Sequence, residues 1–210
     1  MNSPVIIGLG REAGSGKDTA ADVLVADFGW TKVGFADELK RLVMRLWPLW
    51  GEDDLWGSSE LRNVPRAEYG GLTPRKALQF IGTEIGRELD ENVWVRKVED
   101  AARLLLRGGH GYHRTIGVFT RHEAKPTPGI CCPDTRFANE LSLIRHMGGK
   151  AWLIDRPGAG LSGEAGQHLS ETSLDGAAFD GVLVNDGTLA EFQDDVRAFA
   201  RIAGLRQVHR

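Results

Sequence analysis

The sequence predicts an α/β fold in which a parallel central sheet lies between helices on both faces and a mobile lid covers one edge. Three observations carry this. The β-branched run Val5-Ile6-Ile7 has the character of a strand buried on both faces, and it passes through a glycine-rich turn directly into a helical pattern. Short apolar runs then alternate with amphipathic stretches along the chain, the order that builds parallel strands with crossover helices. Late in the chain, RPGAGLSGEAGQHLSETS (156–173) is too rich in glycine and polar residues to form a core of its own, so it reads as a lid or a solvated loop.

Composition bounds the answer. With 210 residues, 41% of them hydrophobic and 26% charged, the chain has enough apolar material for one full α/β domain. A formal charge of −3 argues against a polymeric nucleic-acid partner, since a small phosphorylated ligand needs only local positive charge. Cys131 and Cys132 are adjacent in an apolar run and read as small core residues in a reducing, cytoplasmic setting. No signal peptide or membrane-length apolar run is visible, so no membrane partner is expected.

The first strand ends in Gly14-Ser15-Gly16-Lys17, the core of a phosphate-binding loop. Glycine lets the backbone curl so that successive N–H groups and the positive end of the next helix face phosphate oxygens, while Lys17 reaches the outer phosphates. Arg11 stands where the pattern has its first glycine, and Asp18 stands where it has a magnesium-binding hydroxyl. A carboxylate suits magnesium, a hard cation, and Thr19 reads as a donor to an inner phosphate.

Apolar spacing predicts a helix from Thr19 to Phe28, closed at Gly29. A strand over Thr31–Phe35 follows, then an amphipathic helix from Ala36 to about Leu46. Its first turn lies at the carboxyl edge of the sheet, so Asp37 and Lys40 either face a second substrate or form a solvated helix start. Trp50 to Gly71 loses periodicity and reads as an excursion whose tryptophans pack against the domain. Thr73-Pro74 is an N-cap and first-turn pair that opens the helix TPRKALQFIGTEIGREL. Arg75, Gln79, Gly82/Thr83 and Arg87 recur at spacings of three and four, giving either an exposed face or a monophosphate site, with Arg clamping phosphate and Gln reading a base. Val93 to Leu106 is a further helix, ended by Gly108-Gly109.

His110 to Gly129 is poorly patterned apart from Ile116–Phe119, and its histidines show no metal-ligand arrangement. A strand from Ile130 ends at Asp134, placed to hold or orient magnesium opposite the loop, although Pro133 interrupts it locally. A helix after Thr135-Arg136-Phe137 and a strand at Lys150–Asp155 follow. In 156–173, Arg156, His168, Ser170 and Glu171 are the groups that would meet phosphates if the segment closes. Phe179–Val184 is the last strand, Asn185-Asp186-Gly187 a turn, and Thr188–Ile202 the final helix.

The blocks GSGKDTAA, FADELKR, TPRKALQFIGTEIGRELDENVWV and DTRFANELSLIRHMGGKAWLI, with HLSETSLD and VLVNDGTLAEF, resemble the deoxynucleoside monophosphate kinases of bacteriophages. The likeness to dephospho-coenzyme A kinases and adenylate kinases is looser. The resemblance implies a P-loop NTPase three-layer fold, a single kinase domain over 1–210, an acceptor-binding helical region at about 36–107, and the lid at about 156–173. It implies γ-phosphoryl transfer from ATP, with Mg2+, to a deoxynucleoside monophosphate. Gly14, Ser15, Gly16, Lys17, Asp18 and Thr19 would then cradle ATP, and Asp18 and Asp134 would organise the metal. Arg75, Gln79, Thr83 and Arg87 would line the acceptor site beside Asp37 and Lys40. Arg136, with Arg156, would neutralise the transferring group, and Asn185 and Asp186 would lie near the adenine. A small-molecule kinase acting on dephospho-coenzyme A and a non-catalytic ATP-binding module are the competing readings. The expected setting is the cytoplasm, that of the host if the protein is phage-encoded, and a homodimer is compatible with all of this.

Overall fold

The computed structural model describes residues 5–10, 12–115, 118–161 and 163–208, with the side chains of 110–123, 164 and 165 outside that description. The chain runs β1 (Ile6–Gly10), α1 (Lys17–Phe28), β2 (Thr31–Lys32), α2 (Asp37–Leu46), α3 (Glu52–Trp56), α4 (Pro74–Gln79) and a π-helix (Phe80–Arg87). It continues through α5 (Val93–Arg107), β3 (Gly109–Thr115), β4 (Val118–Ala124), β5 (Ile130–Thr135), α6 (Ala138–His146) and β6 (Lys150–Asp155). The last elements are α7 (Gly163–Gln167), α8 (Leu169–Thr172), β7 (Gly181–Val184) and α9 (Leu189–Ile202).

Five strands form one sheet in the order β2-β5-β1-β6-β7, every pair parallel. This is the expected three-layer α/β fold. The side-chain alternation of β1 divides the core: Ile7 and Leu9 join α1 and α9 residues such as Leu24, Phe28, Phe192 and Val196 on one face. Ile6 joins Val95, Val98, Leu143 and Ile144 of α5 and α6 on the other. The two cysteines obey the same rule, Cys131 on the first face and Cys132 on the second, both fully buried. Close packing explains Gly8 in the middle of β1, where a Cβ would come within 2.2 Å of the Ile144 Cδ1 atom. A third cluster, Leu39, Val43, Trp50, Leu55, Ala77 and Trp94, knits α2, α3, α4 and α5 into a helical region beside the sheet. Trp50 is 1% exposed and lies 5.5 Å from the ring of Trp47, so these two tryptophans pack as expected.

Several elements differ from their sequence-based bounds for identifiable reasons. β2 stops at Lys32 rather than Phe35 because the N–H groups of Phe35 and Ala36 turn to the Asp134 carboxylate, each at 2.8 Å. In β5, Pro133 sits where the register with β1 shifts between Gly8 and Gly10, the kind of irregularity that admits a proline inside a sheet. β7 begins at Gly181 rather than Phe179, since the Asp180 carboxylate instead accepts from Ala151 N at 2.8 Å. The single helix expected after Thr73 starts as predicted, with Thr73 Oγ1 accepting from Lys76 N at 3.2 Å, but changes to π geometry at Phe80. There Trp94 Nε1 donates to the Gly82 carbonyl at 2.9 Å, drawing that acceptor away from the α ladder. Segment 109–124 forms an antiparallel ribbon, β3 with β4, where the sequence showed little pattern. Of the apolar piece 116–119, residues 118 and 119 begin β4, while 116 and 117 lie outside the described residues, as do the side chains of His110, His113 and His122.

Candidate functional site

The phosphate-binding sequence lies at the carboxyl end of the central strand, as a strand-to-helix loop should. Gly14 and Gly16 have φ of 78° and 106°, the left-handed region that glycine tolerates. Gly16 is also a close-approach position, because a Cβ there would meet Asn185 Nδ2 at 2.5 Å. That amide donates to the Ser15 carbonyl at 2.8 Å, and Asn185 N donates to the Asp155 carbonyl at 2.7 Å. Asn185 therefore ties the loop to the end of β6 from behind. Asp186 is exposed beside it, and Arg11 lies outside the described residues.

Lys17 is 7% exposed, with its ammonium donating to the Glu12 carbonyl and lying 3.4 Å from Ser15 Oγ. Burial, reinforced by the Arg136 charge, lowers its pKa to about 8, against the opposing pull of Glu171, Asp18 and Asp134. Asp18 is exposed on the first turn of α1 and ion-pairs with Lys32 at 3.7 Å. Ser15, Gly16 and Thr19 stand in the loop and the first turn of α1, behind the surface that Gly14, Lys17 and Asp18 present.

That surface is one wall of a cavity of about 500 Å³. Asp37 and Lys40 of α2 and Asp134 at the end of β5 also line it. Arg75, Gln79, Thr83 and Arg87 of the helix that begins at Pro74 line it as well, together with Arg136, Ser170 and Glu171. The groups expected to share one helix face do share one cavity. The i→i+5 bonding of the π-helix keeps Thr83 and Arg87 turned the same way as Gln79.

The neighbours of these side chains differ in kind. Arg75 is held by Asn63 Oδ1 at 2.7 Å and Ser59 Oγ at 2.5 Å. Arg87 donates to Glu140 Oε1, to Asn139 Oδ1 at 3.2 Å and to the Glu91 carbonyl at 3.0 Å, and it stacks 3.7 Å from the centre of the Phe137 ring. Glu140 is 2% exposed and also accepts from Arg136 N at 2.6 Å and Phe137 N at 3.1 Å. Its burial pushes the carboxyl up to about 7 despite Arg87. Asp37 accepts from Gly34 N and from Trp56 Nε1, both at 2.8 Å, and Lys40 lies 5.3 Å from the centre of the Trp56 ring. Burial lowers the pKa of Lys40, while burial raises that of Asp134, opposed by Lys40 and reinforced by Asp37. Gln79 Nε2 is buried with no hydrogen-bond partner among the described residues.

The residues expected in the 156–173 segment divide. Arg136 Nη1 donates to Glu171 and to the Ser170 carbonyl at 3.2 Å, inside the cavity. Arg156 and His168 do not line it: Arg156 reaches the Gly14 carbonyl at 3.4 Å, and His168 Nε2 lies 2.9 Å from Glu84 Oε1 on the π-helix. The structure adds lining residues that the sequence reading missed, chiefly Arg62, Trp56, Phe137 and Glu140. Glu140 had a signal, as the acidic residue that ends the block DTRFANE, whereas Arg62 lies in the stretch without periodicity and had none.

Fold and cavity together define the class, a three-layer α/β protein with a glycine-rich strand-to-helix loop facing a polar cleft. No family model matches the chain. A protein of Acanthamoeba polyphaga mimivirus, whose name describes it as a candidate deoxynucleotide monophosphate kinase, is 33% identical over 202 residues, covering 91% of this chain and 94% of its own. The uncharacterized protein ORF77 of Ictalurid herpesvirus 1 (strain Auburn) is 30% identical over 186 residues, covering 89% of this chain and 66% of its own. The chain belongs to the family of the mimivirus protein, and that kinship supports a nucleotide kinase function with a small-molecule nucleotide as substrate. Among the described residues no helix is long and apolar enough to cross a membrane.

Proposed function

We propose that the protein transfers the γ-phosphoryl group of ATP to a deoxynucleoside monophosphate. One observation carries this reading: a single cavity of about 500 Å³ joins the Lys17 loop to a wall bearing Arg75, Gln79 and Thr83. A donor at the loop and an acceptor at the wall would meet between Lys17 and Arg136. The buried, unpartnered Gln79 Nε2 supports an acceptor with a hydrogen-bonding edge, since such a donor buried without a partner costs on the order of 1–3 kcal/mol. The name of the mimivirus relative points the same way.

Arg75 and Thr83 would hold the acceptor, Gln79 would read its base, and the helical region about 36–107 would be the acceptor side of one kinase domain. Arg87, already engaged by Glu140, Asn139 and Phe137, would shape the wall more than clamp the phosphate. Lys17 and Arg136 would meet the phosphates in transfer, and Asn185 would steady the loop beneath the donor. His168 and Arg156 would hold the lid segment 156–173 against the π-helix and the loop, excluding water.

The donor set suits magnesium. Among the described residues no three acidic, His or Cys side chains gather as a metal cage, and magnesium characteristically uses one or two carboxylates together with phosphate oxygens and water. Asp134, aimed by the N–H groups of Phe35 and Ala36, and the exposed Asp18 are the residues that would hold it. When bound, the ion would neutralise charge on the phosphate oxygens. The remaining work is positioning and electrostatics, as a loose phosphoryl-transfer transition state requires.

The test is ADP release from magnesium-ATP with dAMP, dGMP, dCMP, dTMP, dephospho-coenzyme A or no acceptor. Turnover dependent on one or more deoxynucleotides is expected. Turnover with dephospho-coenzyme A alone, or silence with every acceptor, overturns the proposal.

A further inference from the structure

Glu171, on the short helix α8, is the acidic side chain that the lid sends into the cavity. Its side chain is 7% exposed. One carboxylate oxygen takes the Arg136 guanidinium, and the other, Oε2, is buried with no hydrogen-bond partner among the described residues. A carboxylate in that state is costly unless cations surround it. They do: Lys17, Arg62, Arg75 and Arg136 line the same cavity. Each of Lys17, Arg62 and Arg75 feels the Glu171 charge, and Arg62 and Arg75 also feel Arg136.

Arg62 is the least engaged of these arginines. Arg75 is fixed by Asn63 and Ser59, and Arg136 by Glu171 and Ser170. Among the described residues the Arg62 side chain has one long contact, 3.5 Å to the Leu55 carbonyl, and nothing shorter. It is partly buried all the same, in a segment without regular structure beyond single turns. A guanidinium turned into a cavity with its fork of donors unspent is a phosphate ligand in waiting.

We propose that Arg62, Arg75 and Arg136 form the subsite for the phosphate of the acceptor, and that the Glu171 carboxylate is an internal anion standing where that phosphate goes. The proposal rests on the kinase reading and adds Arg62 to it as a substrate ligand. Arg62 is the charge that acts most on Arg75, and Arg75 shares its helix with the unpartnered Gln79, which is why the acceptor's phosphate is the one assigned, although Asp18 of the loop also acts on Arg62. A phosphate dianion offers three oxygens to three forks, where one carboxylate oxygen now engages Arg136 alone. Acceptor binding then exchanges Glu171 for phosphate, and the affinity measured is the difference between the two.

The experiment uses the whole chain and inorganic phosphate as the probe, with thermal melting in chloride against rising phosphate. Glu171→Gln is expected to melt lower than the wild type in chloride, where like charges face each other unneutralised, and to gain more from phosphate, with an apparent Kd five- to tenfold lower. Arg62→Ala is expected to weaken phosphate about tenfold. With magnesium-ATP and an active deoxynucleotide, Arg62→Ala should raise the acceptor KM about tenfold and leave the ATP KM within twofold. Loss of phosphate stabilisation in Glu171→Gln, or unchanged phosphate binding in Arg62→Ala, overturns the subsite, and so does an effect on the ATP KM alone. If no deoxynucleotide is turned over, the kinase reading fails separately, since the melting arm needs no catalysis.

Discussion

Lys17 shows at the scale of one residue what a cation buried beside a cavity costs the fold. Its ammonium is protonated in the unfolded chain up to the ordinary value of 10.5 but in the folded chain only up to about 8. Between those values the unfolded chain binds more protons, so stability should rise with pH across the window from about 8 to 10.5. Below it the buried cation costs roughly 3 kcal/mol. Lys17→Met keeps the length and removes the charge. It should melt at or above the wild-type temperature at pH 7 and lose the pH dependence, while turnover falls by about 100-fold or more. A variant that melts lower at pH 7, or keeps full turnover, would place Lys17 in the core rather than in the site. The glycines and Lys17 of this loop were legible because a backbone bent into the left-handed region leaves a mark in composition. Arg62 left none, since its place in the cavity depends on how 57–71 packs onto Trp50 and Leu55, a tertiary fact with no local period.

Among elements, the joint between the π-helix and α6 holds the cavity wall of Gln79, Thr83 and Arg87 in place. Arg87 and Glu140 are separated by more than fifty residues and are 11% and 2% exposed, so each neutralises a charge the other elements have removed from water. Glu140→Leu strands the Arg87 cation and should cost about 3–5 kcal/mol in urea unfolding. Adding Arg87→Met removes the stranded charge, and the double variant should recover more than half of that loss. Additive losses would mean that the pair contributes packing alone. The sequence announced this wall but not its geometry. Spacings of three and four from Arg75 to Arg87 put these residues along one cavity, yet nothing local distinguishes α from π bonding, which follows from Trp94 taking the Gly82 carbonyl. The early end of β2 has the same origin, because the Asp134 carboxylate that captures Phe35 and Ala36 is almost a hundred residues away. The ribbon of β3 and β4 was illegible for another reason: GHGYHRT lacks the apolar alternation that marks a strand with one face in a core.

For the whole molecule, the important asymmetry lies between a sheet fastened by burial and a segment, 156–173, fastened by polar contacts. Leu174 is 5% exposed and anchors the C-terminal end of that segment on Leu141 and Ala151. Before it, the described contacts to the body are Gly160 N to the Ala13 carbonyl at 3.0 Å, Arg156 to Gly14, His168 to Glu84, and Arg136 to Ser170 and Glu171. Leu169 is 56% exposed and adds no core. A segment held this way opens at lower free energy than the sheet, and its opening is coupled to whatever competes for Arg136. Limited proteolysis by subtilisin should therefore cut first within 156–173. If phosphate takes the place of Glu171, inorganic phosphate should speed that cut in the wild type by releasing α8 from Arg136. Glu171→Gln, with the latch already weakened, should be cut faster in chloride and respond little to phosphate. Phosphate that slows the wild-type cut would mean that Glu171 and the anion bind together, so the lid would close on the phosphate instead of yielding its place to it.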